Sequence, residues 1–136
     1  MNLLFLLAAI ASAALANGQV ITGGITPDSE PNSSDNQAIV RGSVPQLNKG
    51  STSNVLLVPI KILSASKQVV AGMLYRFEVL VGESACSTNA VDQSACSYRN
   101  GGSRFIYKVE VWEKPWENFK QYTVTKVRSV AANEEF

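Results

Sequence analysis

Met73-Leu74-Tyr75-Arg76-Phe77-Glu78-Val79-Leu80-Val81 carries the alternation that decides the fold. Leu74 aside, Met73, Tyr75, Phe77, Val79 and Val81 fall on one side of an extended chain and Arg76 and Glu78 on the other. This is the period of two expected of a half-buried strand. The pattern returns after the Gly101-Gly102 break, where Phe105, Tyr107, Val109 and Val111 alternate with Lys108 and Glu110. Working outward, a strand over Val55 to Leu63 joins a second over Val69 to Val81 across a short polar link. A last strand, about Tyr122 to Val130, follows a turn at Glu113 to Asn118. Upstream of the Lys49-Gly50-Ser51-Thr52-Ser53 break, Ser34 to Lys49 reads as a helix, capped by Ser34 or Asp35, with Val40, Val44 and Leu47 forming one stripe. Gly42 costs about 1 kcal/mol in a helix interior and Pro45, which removes a hydrogen bond to Arg41, about 3 kcal/mol, so the helix is expected to be kinked and held by packing. One helix followed by strands with short connections gives an α+β fold, an antiparallel sheet of four to five strands wrapped on that helix.

The beginning of the chain reads differently. Leu3 to Ala16 carries no charge and closes on Ala14-Leu15-Ala16, the small-x-small pattern that signal peptidase accepts, so residues 1–16 are expected to be a signal peptide. The segment is shorter than the roughly 20 apolar residues that a bilayer span needs. The chain from Asn17 is therefore expected to be secreted and extracellular, with residues 17–33 a mobile arm rich in Gly, Pro, Ser and Asn and residues 34–136 a single domain. Twelve Lys and Arg against eleven Asp and Glu leave a formal charge of +1, too weak a field to draw nucleic acid or an anionic membrane. The expected partner is a protein or small ligand.

The absence of histidine excludes Ser-His-Asp and Cys-His catalysis and leaves no imidazole for zinc. Acid–base work by carboxylates needs one with a raised pKa in a cleft, and no spacing here suggests it. The chain is expected to be no enzyme and to hold no metal or cofactor. Cys86 and Cys96, separated by a polar, turn-like segment in an exported chain, read as a structural disulfide contributing roughly 2–3 kcal/mol. Asn32-Ser33-Ser34 is an N-x-Ser sequon, which makes Asn32 a candidate glycan site.

Three further features each have a plain structural reading. Gln68-Val69-Val70-Ala71-Gly72, at the junction of two strands, has a composition suited to any hairpin turn. Pro115-Trp116 reads as a turn proline beside a half-buried tryptophan, and Gly23-Gly24 as flexibility in the arm. In this order, with Cys86 and Cys96 between the two hairpin motifs and an export signal ahead, they resemble the cystatin superfamily, in particular the secreted, type 2 cystatins. Gln68 to Gly72 matches the family's Gln-x-Val-x-Gly signature, Pro115-Trp116 its Pro-Trp pair, and Gly23-Gly24 its N-terminal glycine. The likeness covers about Val20 to Val130.

That resemblance implies a reversible, tight-binding, competitive inhibitor of papain-like cysteine proteases of the cathepsin type, acting as a monomer. In the family, an N-terminal arm and two hairpin loops form a wedge that fills the active-site cleft. Carried over residue by residue, Val20, Ile21 and Thr22 would occupy substrate subsites, Ile21 the apolar one. Gly23 or Gly24 would turn the backbone away from the catalytic cysteine. Gln68, Val69, Val70, Ala71, Gly72, Pro115 and Trp116 would meet the protease through the hairpins. A bulky residue at Gly72 is then expected to weaken inhibition far more than folding, and Trp116 to serve as a stiff apolar anchor. The chain departs from the type 2 pattern where a second disulfide would link the last two strands, since Tyr107 and Val127 stand there. The segment some members use against legumain, Ser-Asn-Asp, is replaced by Ser51-Thr52-Ser53-Asn54, so that activity is not expected. The competing reading is a secreted carrier or immune-modulating protein of cystatin fold without protease inhibition; the intact hairpin motifs argue against it.

Overall fold

The computed structural model describes residues 24–136. In chain order these form β1 (Ile25–Pro27), α1 (Ser34–Arg41), α2 (Val44–Lys49), β2 (Val55–Val70), β3 (Gly72–Ser87), β4 (Arg104–Lys114) and β5 (Phe119–Val130), with 3-10 turns at Gln93–Ala95 and Pro115–Glu117. The strands make one antiparallel sheet in the order β1-β2-β3-β4-β5, so chain neighbours are sheet neighbours. One bent helix packs on it. Among the described residues no helix is long and apolar enough to cross a membrane.

The alternation read from the sequence is the packing pattern. Phe77, Val79 and Val81 of β3 and Val109 and Val111 of β4 are buried beneath Val40 and Leu47 of the helix, with Tyr75, Phe105 and Tyr107 packed at the margin. At about 1.5–3 kcal/mol for each large apolar side chain, this layer supplies the main driving force. The opposite face has a smaller apolar layer, in which Leu56, Leu80 and Ile106 are buried. The connection from β3 to β4 returns over it, and Tyr98 lies so close over Gly82 that a Cβ there would collide with its ring.

The helix is divided where the sequence warns of it. α1 stops at Arg41 and α2 restarts with Pro45 in its first turn, where the missing N–H has no intrahelical acceptor to lose. Tyr122 of β5 fills the break, its hydroxyl group against Gly42, and buried Ser43 donates to the Val40 carbonyl. The N-cap is Ser33, whose Oγ accepts from the Asn36 N–H at 3.2 Å, not Ser34 or Asp35 as expected. Of the predicted stripe, Val40 and Leu47 are buried and Val44, the first residue of α2 after the break, only half so.

Three boundaries also differ from expectation. The polar link Ser64 to Gln68 is part of β2, its backbone paired with β3 and, over Ser66 to Gln68, with β1. Ile25–Pro27, read as arm, is therefore a strand, and β5 begins at Phe119. Beyond β1, side chains take over the edge of β2: Asn32 accepts from the Ile62 N–H at 2.9 Å and donates to its carbonyl at 2.7 Å. Asn48 does the same to Leu57 at 2.8 and 3.0 Å. Each amide stands in for a neighbouring strand. Asp28 accepts from the buried Asn36 amide at 2.8 Å and from the Glu30 N–H at 2.8 Å, and these two bonds, the first foremost, hold its carboxyl below the ordinary value.

Candidate functional site

Register alone places the hairpin tips together. The β2–β3 hairpin turns at Ala71, between partners Val70 and Gly72, and the β4–β5 hairpin turns through Pro115–Glu117. Met73 on β3 pairs with Glu113 on β4, so the two turns leave the same end of adjacent strands. Ile25 pairs with Gln68, which brings Gly24, just ahead of β1, to that same end of the sheet. Gly24, Gln68–Gly72 and Pro115–Trp116 thus share one edge; Val20, Ile21, Thr22 and Gly23 lie outside the described residues. Trp116 is 65% exposed and Val69 41%, large apolar groups left in water beside exposed Ala71 and Pro115.

Two signature residues are built into the fold. The Gln68 Oε1 accepts from Arg76 at 2.9 Å, and the Arg76 Nε donates to Glu110 at 3.1 Å, a polar row on the face away from the helix. Gly72 has φ +97°, and a Cβ on it would collide with the Glu113 carbonyl oxygen and lie 2.9 Å from Lys114. The first hairpin therefore rests against the backbone beside the second. A bulky residue at Gly72 must disturb folding, which corrects the expectation that it would act mainly on inhibition.

Sequence reasoning missed a side-chain cluster behind the tips. The Trp112 indole N–H donates to the Ala71 carbonyl at 2.8 Å, and its ring meets Phe119 edge-on at 5.2 Å. The Lys114 ammonium lies 4.8 Å from the Trp112 ring centre and 4.6 Å from that of Phe119. It also pairs with Glu117 at 3.4 Å, whose second oxygen accepts from the Trp116 indole at 3.2 Å. The available signal was Trp112 itself, an aromatic on the face that Lys108 and Glu110 mark as polar.

Other expected sites lie elsewhere. Cys86 and Cys96 are disulfide-bonded with Cα atoms 6.0 Å apart, at the end of β3 remote from the hairpin tips. Tyr107 pairs with Lys126, while Val127 is set out of register by a bulge and is 53% exposed. Asn54 accepts from the Thr88 N–H in the far-end connection. The Asn32 amide nitrogen, where a sugar would attach, is the atom that donates to Ile62. A cavity of about 420 Å³ lies between α1, α2, β2 and Gln93–Cys96, lined by Val40, Val44, Pro45, Val58 and Ile60, with no hairpin-tip residue in its wall. Among the described residues no group of three or more His, Cys, Asp or Glu is placed to hold a metal ion.

A family model described as the cystatin domain matches residues 23–129. The chain is 41% identical over 121 residues to cystatin cpi-1 of Caenorhabditis elegans, covering 85% of each chain. It is 34% identical to onchocystatin of Onchocerca volvulus, over 82% of this chain and 70% of that one. It is 31% identical to cysteine proteinase inhibitor 1 of rice, Oryza sativa subsp. japonica, over 87% and 71%. The crystal structure of Al-CPI superposes with a TM-score of 0.70 at 30% identity, covering 79% of this chain and 100% of that one. Dimeric human cystatin F has the same fold, with a TM-score of 0.70 at 22% identity over 82% and 92%. These likenesses place the protein among inhibitors and not among enzymes. With its bent helix, five-stranded sheet and paired hairpin tips, the chain belongs to the cystatin family.

Proposed function

We propose that this cystatin is a secreted inhibitor of papain-like cysteine proteases of the cathepsin type, binding reversibly, tightly and in competition with substrate. The observation that carries the reading is the common edge, where Trp116 and Val69 stand exposed beside Gly24 and Ala71. Such an edge fits a long groove, and a surface already in shape avoids much of the ordering cost that a flexible peptide incurs. Val69, Val70, Ala71, Pro115 and Trp116 contact the walls of the cleft, Trp116 as the large aromatic anchor. Gln68 and Gly72 act from behind by shaping the first hairpin. Val20, Ile21 and Thr22 read the substrate subsites, and Gly23 or Gly24 lifts the backbone from the catalytic cysteine. Residues 1–16 act as the export signal, and the Cys86–Cys96 disulfide suits an oxidising compartment. The working form is a monomer presenting one wedge.

The test is steady-state inhibition of papain by the purified chain from Asn17, together with retention on a column of alkylated papain. Competitive inhibition with retention supports the reading. Retention without inhibition, or neither, sinks it in favour of a carrier or immune-modulating role.

A further inference from the structure

We propose that Trp112 is a positioning residue that couples the two hairpin tips, so that they meet a protease as one rigid surface; this rests on the protease-binding reading above. The first hairpin has a very short turn, closed by the pair Val70 and Gly72, with exposed Ala71 at its tip. A carbonyl at such a tip would ordinarily bond only to water, and tips with few contacts are the first places to open locally. Here the Ala71 carbonyl accepts from an indole 41 residues further along the chain, on the strand that leads into the other tip. A half-buried indole N–H normally finds a partner, and this one finds the loop itself.

The connection continues to the second tip. Lys114 stands over the Trp112 and Phe119 rings, within the range of cation–π attraction, and reaches Glu117, which holds the Trp116 indole. Ala71, Trp112, Lys114, Glu117 and Trp116 form one run of contacts, each within 5 Å of the next. Trp112 lies outside the main core cluster, so its ring is not part of the packing of the helix on the sheet. Its partners are the Ala71 carbonyl at the first turn and Lys114 and Phe119, the strand residues that flank the second.

Trp112→Phe keeps a ring against Phe119 and Lys114 but deletes the N–H. The experiment measures three things on this variant and the parent chain: thermal melting, papain inhibition, and backbone amide exchange in the free protein. Losing one neutral hydrogen bond corresponds to a change of about 5- to 10-fold. We expect inhibition weaker by about that factor through faster dissociation, faster exchange at Ala71 and Gly72, and exchange at Val79 and Val109 unchanged. Parent-like exchange at Ala71 and Gly72 overturns the coupling, whatever happens to inhibition. So does a uniform rise in exchange with lowered melting, which marks a merely structural tryptophan. If the phenylalanine variant does not fold, Lys114→Met cuts the same chain of contacts one step later. It should sharpen the mobility of the Trp116 indole, one of two in the protein and so readily assigned by nitrogen-15 labelling; an unchanged indole there also overturns the proposal. Failure of the parent chain to inhibit papain would instead refute the function, and the exchange data on the free protein would still decide the coupling.

Discussion

The two hairpins of the wedge reach the same edge by different means. The first presents backbone: its turn tightens at Ala71, takes φ +97° at Gly72 and presses against the Glu113 carbonyl. The second presents a side chain: a 3-10 turn closed by Asn118 in the left-handed region, φ 52°, displays Trp116 with 65% of its surface exposed. Where a loop's offering is its backbone shape, as at Gly72, the residue that would serve binding also serves the fold. A loop that displays one exposed ring can lose the ring and remain folded.

Breaking the first hairpin should produce the largest effect. Gly72→Val combines a strained positive φ with a collision against backbone, and should cost about 3 kcal/mol of stability. Inhibition and melting temperature are expected to fall together; weakened inhibition with parent-like melting would return Gly72 to a role in contact alone. Trp116→Ala tests the other half of the contrast. As an anchor its loss should cost about 2 kcal/mol of binding or more, roughly 30-fold, with melting unchanged. A lowered melting temperature would erase the distinction between the loops.

The remote end of the sheet sharpens the contrast between wedge and scaffold. Replacing Cys86 and Cys96 together by serine opens the loop and should lower stability by about 2–3 kcal/mol. Inhibition at a temperature where the variant is folded should stay within about threefold, since the disulfide lies far from both tips; a larger loss would mean that the far end shapes the wedge. The smallest effect concerns Asp28, directly after β1. Its carboxyl, held below the ordinary value of 3.8 by the Asn36 amide and the Glu30 N–H, contributes stability that is present above pH 3.8 and lost as pH falls below it. Asp28→Asn should flatten the acid limb of a pH–stability curve below pH 3.8, and an identical limb would assign acid sensitivity elsewhere.

Much of this was legible because period-two alternation and burial are the same fact seen twice: Phe77, Val79, Val109 and Val111 are in the core where the pattern placed them. Pro45 announced the helix break by simple backbone chemistry. β1 was not legible, since Ile25-Thr26-Pro27 is too short for a pattern and owes its form to pairing with residues about forty positions later. The brace of Trp112, Lys114 and Phe119 escaped for a related reason. An indole donating to a carbonyl 41 residues away leaves no local periodicity, and the polar face of β4 concealed an aromatic with a partner on the next hairpin. Gln68 was legible as a motif residue, but the bond its side chain accepts from Arg76 joins two strands and left no local pattern to read.

The amides of Asn32 and Asn48 have a consequence for how this protein behaves in a crowd. An exposed strand edge is a template on which another chain can grow, and long uncovered edges are sites of aggregation. On β2, both asparagines occupy backbone positions that an incoming strand would need, and Pro59 between them offers no N–H. At the other border, β5 is bent by the bulge at Val127 and carries exposed Lys120, Lys126 and Arg128, charges that resist burial against a neighbour. The side chains of Asn32, just ahead of α1, and Asn48, on α2, thus also cover part of the β2 edge against an incoming strand.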